Sequence, residues 1–305
     1  MKDGKVLAVC LSPTFQNTLV FENLREDEVN RSVSDMHIDA SGKGINVIRI
    51  LNQLGRQAEC LMQLGGPRVQ EYLDICRDEG LEIRHVLCDA VTRTCTTVIN
   101  RKLSTSTELV ENAHPVSKEA DKAVKDRFLS LLDGCAALVI SGTKAPGFSA
   151  DIYPWMVKKA KEKGLFVVVD IKKQELINCL EYHPDIVKPN LSEFVDTFFS
   201  DVSITENEDS EYLKNQVKEK TEEIFRDYGV RTILSRGRFD TWAFDGKDFI
   251  TVPSINVPVV NTIGCGDSMT AGLVDAILDG RSFADAILFG MQCAVQRASH
   301  LYHGL

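Results

Sequence analysis

The stretch "NTIGCGDSMTAG" (261–272) holds the residues best suited to chemistry: Gly264 and Gly266 flank Cys265, and Asp267 follows at once. Glycines open the backbone to turns closed to other residues and let a ligand come near. In "DSMTAGLVDAILDG" the apolar positions Met269, Leu273, Ala276 and Ile277 recur at helical spacing, which places Asp267 in the first turn of a helix. First-turn amides have no internal partners and carry partial positive charge, so they form an anion site. A carboxylate there either caps the helix or stands as a base beside a bound anion.

Further segments carry weaker patterns. "DASGKGINVIRILNQLG" (39–55) sets Gly42 and Gly44 around Lys43 before a helix, with Asn46 in its first turn, and lacks the full Walker pattern. In "VKPNLSEF" (187–194) Pro189 ends a strand, and Asn190 with Glu193 reads as a capping box. The same two residues could organise Mg2+ through water, since that ion keeps several waters and uses few protein carboxylates. "SGTKAPGF" (141–148) and "LSRGRFD" (234–240) are glycine-bearing loops after strands, the second offering Arg236 and Arg238 to a phosphate. Arg93 in "VTRTC" and Arg31 in "EVNRSV" are lone basic residues, whose ordinary place is a solvated surface.

The elements that must position these residues alternate. Strands are expected at "KVLAVCLS", "AECLMQLG", "CAALVISG", "LFVVVD", "PDIVKPN" and "VRTILS". Helices are expected at 44–55, 68–80, 151–164, "SEFVDTFF" and 209–229. Continuous apolar strands between helices imply a mostly parallel, doubly wound α/β sheet covered on both faces. Two regions break the rhythm, 14–40 without a good helix and 95–110 with two strands; they predict a small β lid over the carboxyl edge, where such sheets bind ligands. "TWAFDGKDFITVPS" reads as a hairpin turning at Asp245-Gly246. The chain is expected to form one domain over 1–305, with the lid strands inserted in it.

Bulk properties narrow the function. The 305 residues are 44% hydrophobic and 26% charged, and 35 basic against 44 acidic residues give a net charge of −9. That balance argues against nucleic acid or a membrane surface as partner, while leaving room for a local basic pocket. No apolar run approaches the ~20 residues of a membrane span. Nine cysteines without C-x-x-C or metal spacing suggest free buried thiols and a cytoplasmic protein.

Taken together, these motifs resemble the PfkB-type carbohydrate kinases of the ribokinase superfamily. "SGKGINVIRILNQLG" is similar to that family's first signature, "NTIGCGDSMTAG" to its last, "VKPNLSEF" to its N-x-x-E motif, and "SGTKAPG" to a loop between them. "EVNR" and "TRTC" look closest to the branch acting on phosphorylated sugars, 1-phosphofructokinase and tagatose-6-phosphate kinase. The resemblance implies a ribokinase-like fold and ATP-dependent phosphoryl transfer to a sugar hydroxyl, with ATP and Mg2+ as cofactors. It implies Asp267 as base and the backbone of Gly264, Cys265 and Gly266 as anion hole. Gly42 and Asn46 would bind sugar hydroxyls, Lys43, Arg93 and Arg31 a substrate phosphate, and Ser235, Gly237 and Asn190 the nucleotide. Glu193 and Asn190 would hold Mg2+ through water, and the lid strands would clasp a homodimer in which Arg31 reaches the partner's site.

The chain departs from the family pattern at five places, one of them the segment after Asp170, "IKKQEL", where relatives often show small residues. Gln16 stands where an aspartate usually grips two sugar hydroxyls, Ser41 replaces the first glycine of Gly-Gly-Lys-Gly, Asp240 replaces a glycine, and "ENAHP" replaces a Gly-Pro ending. A kinase of a free sugar or nucleoside, or a non-catalytic sugar-phosphate or nucleotide binder, are the alternatives. An esterase with Ser268 as nucleophile would need a later Asp-x-x-His, and Leu278, Ser282 and Leu288 occupy the candidate histidine positions. A dinucleotide enzyme would need glycines after the first strand, and "CLSPTFQN" has none.

Overall fold

Apolar, β-branched runs become strands here because each is covered by helices on both sides. The computed structural model of the protein describes residues 4–199 and 210–301. In chain order the first half runs β1 (Lys5–Cys10), β2 (Thr14–Phe21), β3 (His37–Ser41), α1 (Lys43–Gln53), β4 (Ala58–Gly65), α2 (Val69–Asp78), β5 (Glu82–Cys88), β6 (Arg93–Asn100), β7 (Thr105–Val110), α3 (Lys118–Leu131) and β8 (Cys135–Ser141). The second runs α4 (Ile152–Glu162), β9 (Phe166–Asp170), α5 (Lys173–Leu180), β10 (Ile186–Val187), α6 (Leu191–Phe198), α7 (Glu211–Tyr228), β11 (Arg231–Arg236), β12 (Phe239–Phe244), β13 (Phe249–Val252), α8 (Cys265–Leu278) and α9 (Phe283–Ala298).

The main sheet has the order β13-β12-β11-β10-β9-β8-β1-β4-β5. The strands from β11 to β5 are parallel, and β12 and β13 add an antiparallel hairpin at one edge. Strand β1 shows how both faces are filled. Val6, Ala8 and Cys10 enter the core shared with α1, α2, α8 and α9, while Leu7, Val9 and Leu11 enter the core shared with α3 to α7. The chain leaves β1 toward β4 on one side and returns through β8 on the other, so a crevice opens between β1 and β8 at their carboxyl ends.

A second sheet, β3-β2-β6-β7, forms the lid. Thr14 and Gln16 on β2 stand in register with Ser41 and Asp39 on β3 and with Arg93 and Cys95 on β6, while Cys95 is opposite Val110 on β7. Residues opposite one another share a face, so the lid turns a largely polar face to the crevice. The next residue points the other way: Phe15 is fully buried and packs edge-on against Tyr72 of α2, ring centroids 5.2 Å apart. Tyr72 Oη also donates to the Ser41 carbonyl at 2.7 Å, which ties β3 to α2.

Three differences from the sequence reading have physical causes. The strand expected at "PDIVKPN" shrinks to Ile186–Val187, because Pro184 and Pro189 have no N–H for a ladder. Helix α8 starts two residues before Asp267, with Gly264 in the left-handed region (φ 81) as its N-cap. Helices α3 and α5 and strand β5 were not among the expected elements; α3 is mostly charged outside and buries Ala120, Val124, Phe128 and Leu131. Helix α7 fills the helix expected over 209–229, with Asp209 outside the described residues. No helix of the described residues is long and apolar enough to cross a membrane.

Candidate active site

The crevice holds a cavity of about 530 Å³, walled by the ends of β1, β8 and β9, the starts of α1 and α8, and the polar face of the lid. Gly42, with φ 125, begins α1 because a Cβ there would lie 2.6 Å from Cys10 Sγ. Lys43 follows, its stem over Gly142, and reaches into the cavity. Gln16, Asn46 and Arg93 also line the wall, as do Ser41, Cys95 and Glu108.

Asp267 lies just behind the cavity at the start of α8 and is 4% exposed. Its Oδ2 accepts from Asn46 Nδ2 at 2.8 Å. Burial pushes its carboxyl up to about 6, although Lys43 nearby and the Asn46 bond pull the other way. Asp170, at the end of β9, is equally buried, but Lys188 Nζ at 3.2 Å and Lys43 outweigh burial and hold it below the ordinary carboxylate range. Thr270 Oγ1 also donates to Asp170 Oδ2 at 3.2 Å. Two neighbouring carboxylates thus differ in basicity, and the one nearer neutrality sits at a helix N-terminus.

The amides at the start of α8 divide. The Cys265 N–H donates to the Thr262 carbonyl at 3.2 Å, whereas those of Gly266 and Asp267 make no hydrogen bond among the described residues. A Cβ on Gly266 would meet nothing within 4 Å, so the space above this turn is open. The helix start thus presents the unpaired amides of Gly266 and Asp267 to open space.

At "VKPNLSEF" the capping reading is the one the side chains show. Asn190 Oδ1 accepts from the Glu193 amide and from Ser192 Oγ, each at 2.8 Å, and Glu193 Oε2 accepts from the Asn190 amide at 3.2 Å. Glu193 still lines the cavity, its Oε1 3.7 Å from Lys172 Nζ, while Asn190 does not. No group of three or more His, Cys, Asp or Glu side chains suited to a metal occurs among the described residues. A single carboxylate oxygen fits an ion that keeps its waters, not a protein cage.

Other predicted residues lie elsewhere. Arg31 is exposed in the connection from β2 to β3 and does not reach the cavity of its own chain. Ser235 bridges to Asn190, and Gly237 is exposed with φ 56 at the β11–β12 turn; neither touches the cavity wall. Arg93 lines the wall with one Nη donating to the Glu111 carbonyl at 2.7 Å. Asp240, in place of the usual glycine, accepts from the Ser254 amide at 2.8 Å and so steadies the hairpin. Asp170, Lys188, Thr270 and Lys172 were missed. Asp170 could have been found as the acid that closes the apolar strand "LFVVVD"; Lys172 stands two residues beyond it.

Solved structures with the same architecture include phosphofructokinase-2 from Escherichia coli in complex with fructose-6-phosphate, 20% identical, covering 97% of this chain and 94% of that one with a TM-score of 0.85. Another is a possible 1-phosphofructokinase from Thermotoga maritima, 22% identical, covering 99% and 94% with a TM-score of 0.87. At such identity the likeness is one of fold. Residues 9–302 match the model of the pfkB family carbohydrate kinases, and the chain belongs to that family as a carbohydrate kinase with a ribokinase-like fold.

Proposed function

We propose that this kinase transfers the γ-phosphoryl group of ATP to a hydroxyl of a sugar phosphate, with Asp267 as the base. The observation that carries the reading is the state of Asp267: buried, raised to about 6, bonded through a neutral amide and set beside open helix-start amides. At neutral pH such a carboxylate is mostly ionised, yet basic enough to take a proton as the acceptor oxygen attacks. The amides of Gly266 and Asp267 and the ammonium of Lys43 face the charge that builds on the transferring group, and phosphoryl transfer depends mainly on such positioning and stabilisation. Glu193 would hold hydrated Mg2+, which when bound offsets charge on the phosphates. Arg93 and Lys43 would hold the acceptor's own phosphate by charge-assisted bonds.

Gln16 shapes hydroxyl recognition. Its Nε2 donates to Thr97 Oγ1 at 2.8 Å and to the Asn17 carbonyl at 3.3 Å, which leaves its Oε1 as one neutral acceptor at the cavity. An aspartate would offer two charged oxygens, so the acceptor is read by fewer bonds here. A free sugar is the second reading, favoured by Glu108, whose carboxylate lines the same wall as Arg93. The lid also supports a homodimer: Leu103 and Leu109 are 62% and 57% exposed, and E. coli phosphofructokinase-2 has a tetrameric inhibited form. The protein would be one kinase unit acting in the cytoplasm.

Mg-ATP-dependent ADP release over fructose 1-phosphate, fructose 6-phosphate, tagatose 6-phosphate, free ketoses, ribose and nucleosides tests the reading. Turnover with one phosphorylated ketose, lost in Asp267→Asn, is the expected result. Turnover with free sugars alone would reject the phosphate-binding role of Arg93. Sedimentation at assay concentration tests the dimer, which a fully active monomer would refute.

A further inference from the structure

Behind the proposed base lies a buried arginine with no role yet. Arg49 is 3% exposed and sits three residues beyond Asn46 on α1, so the two share a helix face. Its Nη1 donates to Asn46 Oδ1 at 2.9 Å, and its Nη2 donates to the Ala40 carbonyl of lid strand β3 at 2.7 Å. Its Nε at 2.5 Å and Nη2 at 3.3 Å meet the carboxylate of Glu79, the residue that ends α2. Ser41 Oγ adds a longer bond to Asn46 Oδ1 at 3.4 Å. With its oxygen held, Asn46 has its Nδ2 to offer, and that group donates to Asp267. Turned over, the amide would set oxygen against carboxylate.

We infer that Arg49 is a positioning residue that locks the Asn46 amide with its donor toward Asp267 and ties that setting to lid strand β3. The inference rests on Asp267 as the base. Ala40 lies between Asp39 and Ser41, the residues in register with Gln16 and Thr14 on the cavity wall. One guanidinium therefore fixes both the partner of the base and the lid wall that meets the acceptor. Lysine could not replace it: the planar fork serves an amide, a backbone carbonyl and a carboxylate at fixed angles, and an ammonium is a point charge.

The titration of Asp267, followed by carbon-13 NMR of aspartate-labelled protein and assigned with Asp267→Asn, tests this without turnover. The groups facing Asp267 are Lys43 and Asn46 on α1, Asp170 on β9, Lys188 after β10, Cys10 on β1, Cys265 on α8 and Arg297 on α9; the variant at position 49 leaves the charged ones in place. Arg49→Lys is expected to raise the midpoint by about half a unit or more, because a bond that favours the charged form is lost. Asn46→Ser should raise it too, and the double variant no further than Asn46→Ser alone, since Arg49 acts through Asn46. In turnover, Arg49→Lys should lower kcat several-fold, raise KM for the acceptor and leave KM for ATP within twofold. An unmoved midpoint, or shifts that add in the double variant, would overturn the inference. Should Arg49→Lys fail to fold, Glu79→Gln carries the test at a position 31% exposed, with a smaller shift of the same sign expected and no shift overturning it. If the wild type titrates as expected but none of the acceptors drives ADP release, the proposed acceptor fails, and the hold of Arg49 on the Asn46–Asp267 pair stands.

Discussion

The two ends of the nine-stranded sheet both bury carboxylates and treat them in opposite ways. At the amino end Glu59, 2% exposed on β4, meets Lys5 Nζ at 2.5 Å and Arg84 Nε at 2.8 Å. Asp275, toward the end of α8, meets Arg56 Nε at 2.7 Å, and the same guanidinium holds Asp279. At the carboxyl end Asp267 makes no ion pair among the described residues and takes its bond from an amide. A carboxylate pinned by a cation is a stable anion and a poor base; one left short of compensation is costly to bury and ready for a proton. Asp170 marks the boundary, since it lies at the site yet is held by Lys188 in the manner of the far end. What separates the ion-paired carboxylates from the proposed base is the partner, not the depth.

The contrast breaks most sharply with Asp267→Asn. Turnover should fall by about a thousandfold or more with the loss of the base. Stability should move the other way. Because the folded-state value is raised, the native protein binds more protons than the unfolded chain between the ordinary range and about 6, so the charge costs stability above that pH. Urea unfolding at pH 8 should show a gain of roughly 1–3 kcal/mol in the variant. Next, Lys43→Met should cut kcat/KM by about a hundredfold through lost charge stabilisation, and should shift the acid limb of activity upward because Lys43 lowers Asp267. In the wild type, kcat/KM should fall about tenfold per pH unit below about 6 and level off above it, provided the acceptor's phosphate ionisation is corrected for. The smallest kinetic effect belongs to Glu59→Gln, within about twofold of wild type, while urea unfolding reports a loss of about 1–2 kcal/mol from two half-exposed cations left without their partner.

Much of this was legible in the sequence where a pattern repeats. The apolar runs at 5–12 and 165–170 give parallel strands, and the glycines around Lys43 and Asp267 mark the two helix starts that frame the cavity. The lid could be read from two interruptions in the rhythm. Illegible were contacts between single residues far apart in the chain. Asp170 with Lys188 and Asn46 with Asp267 have no spacing of their own, because a fold, not a helix period, brings them together. Arg31 shows the converse: a basic residue in a suggestive motif that the backbone leaves on the surface. The capping box at Asn190 was legible as itself, and its side-chain bonds favour that plain meaning.

Helix α8 belongs to both ends of the sheet. Its first turn faces the cavity, and its last turns, about 20 Å away at 1.5 Å per residue, are anchored through Asp275 and Asp279 to Arg56. A helix fastened at both ends opens as a unit rather than fraying from either. Occupancy of its first amides should therefore slow hydrogen exchange along its whole length, as far as Leu278, and the remote cluster around Arg56 would register a bound phosphate without touching it.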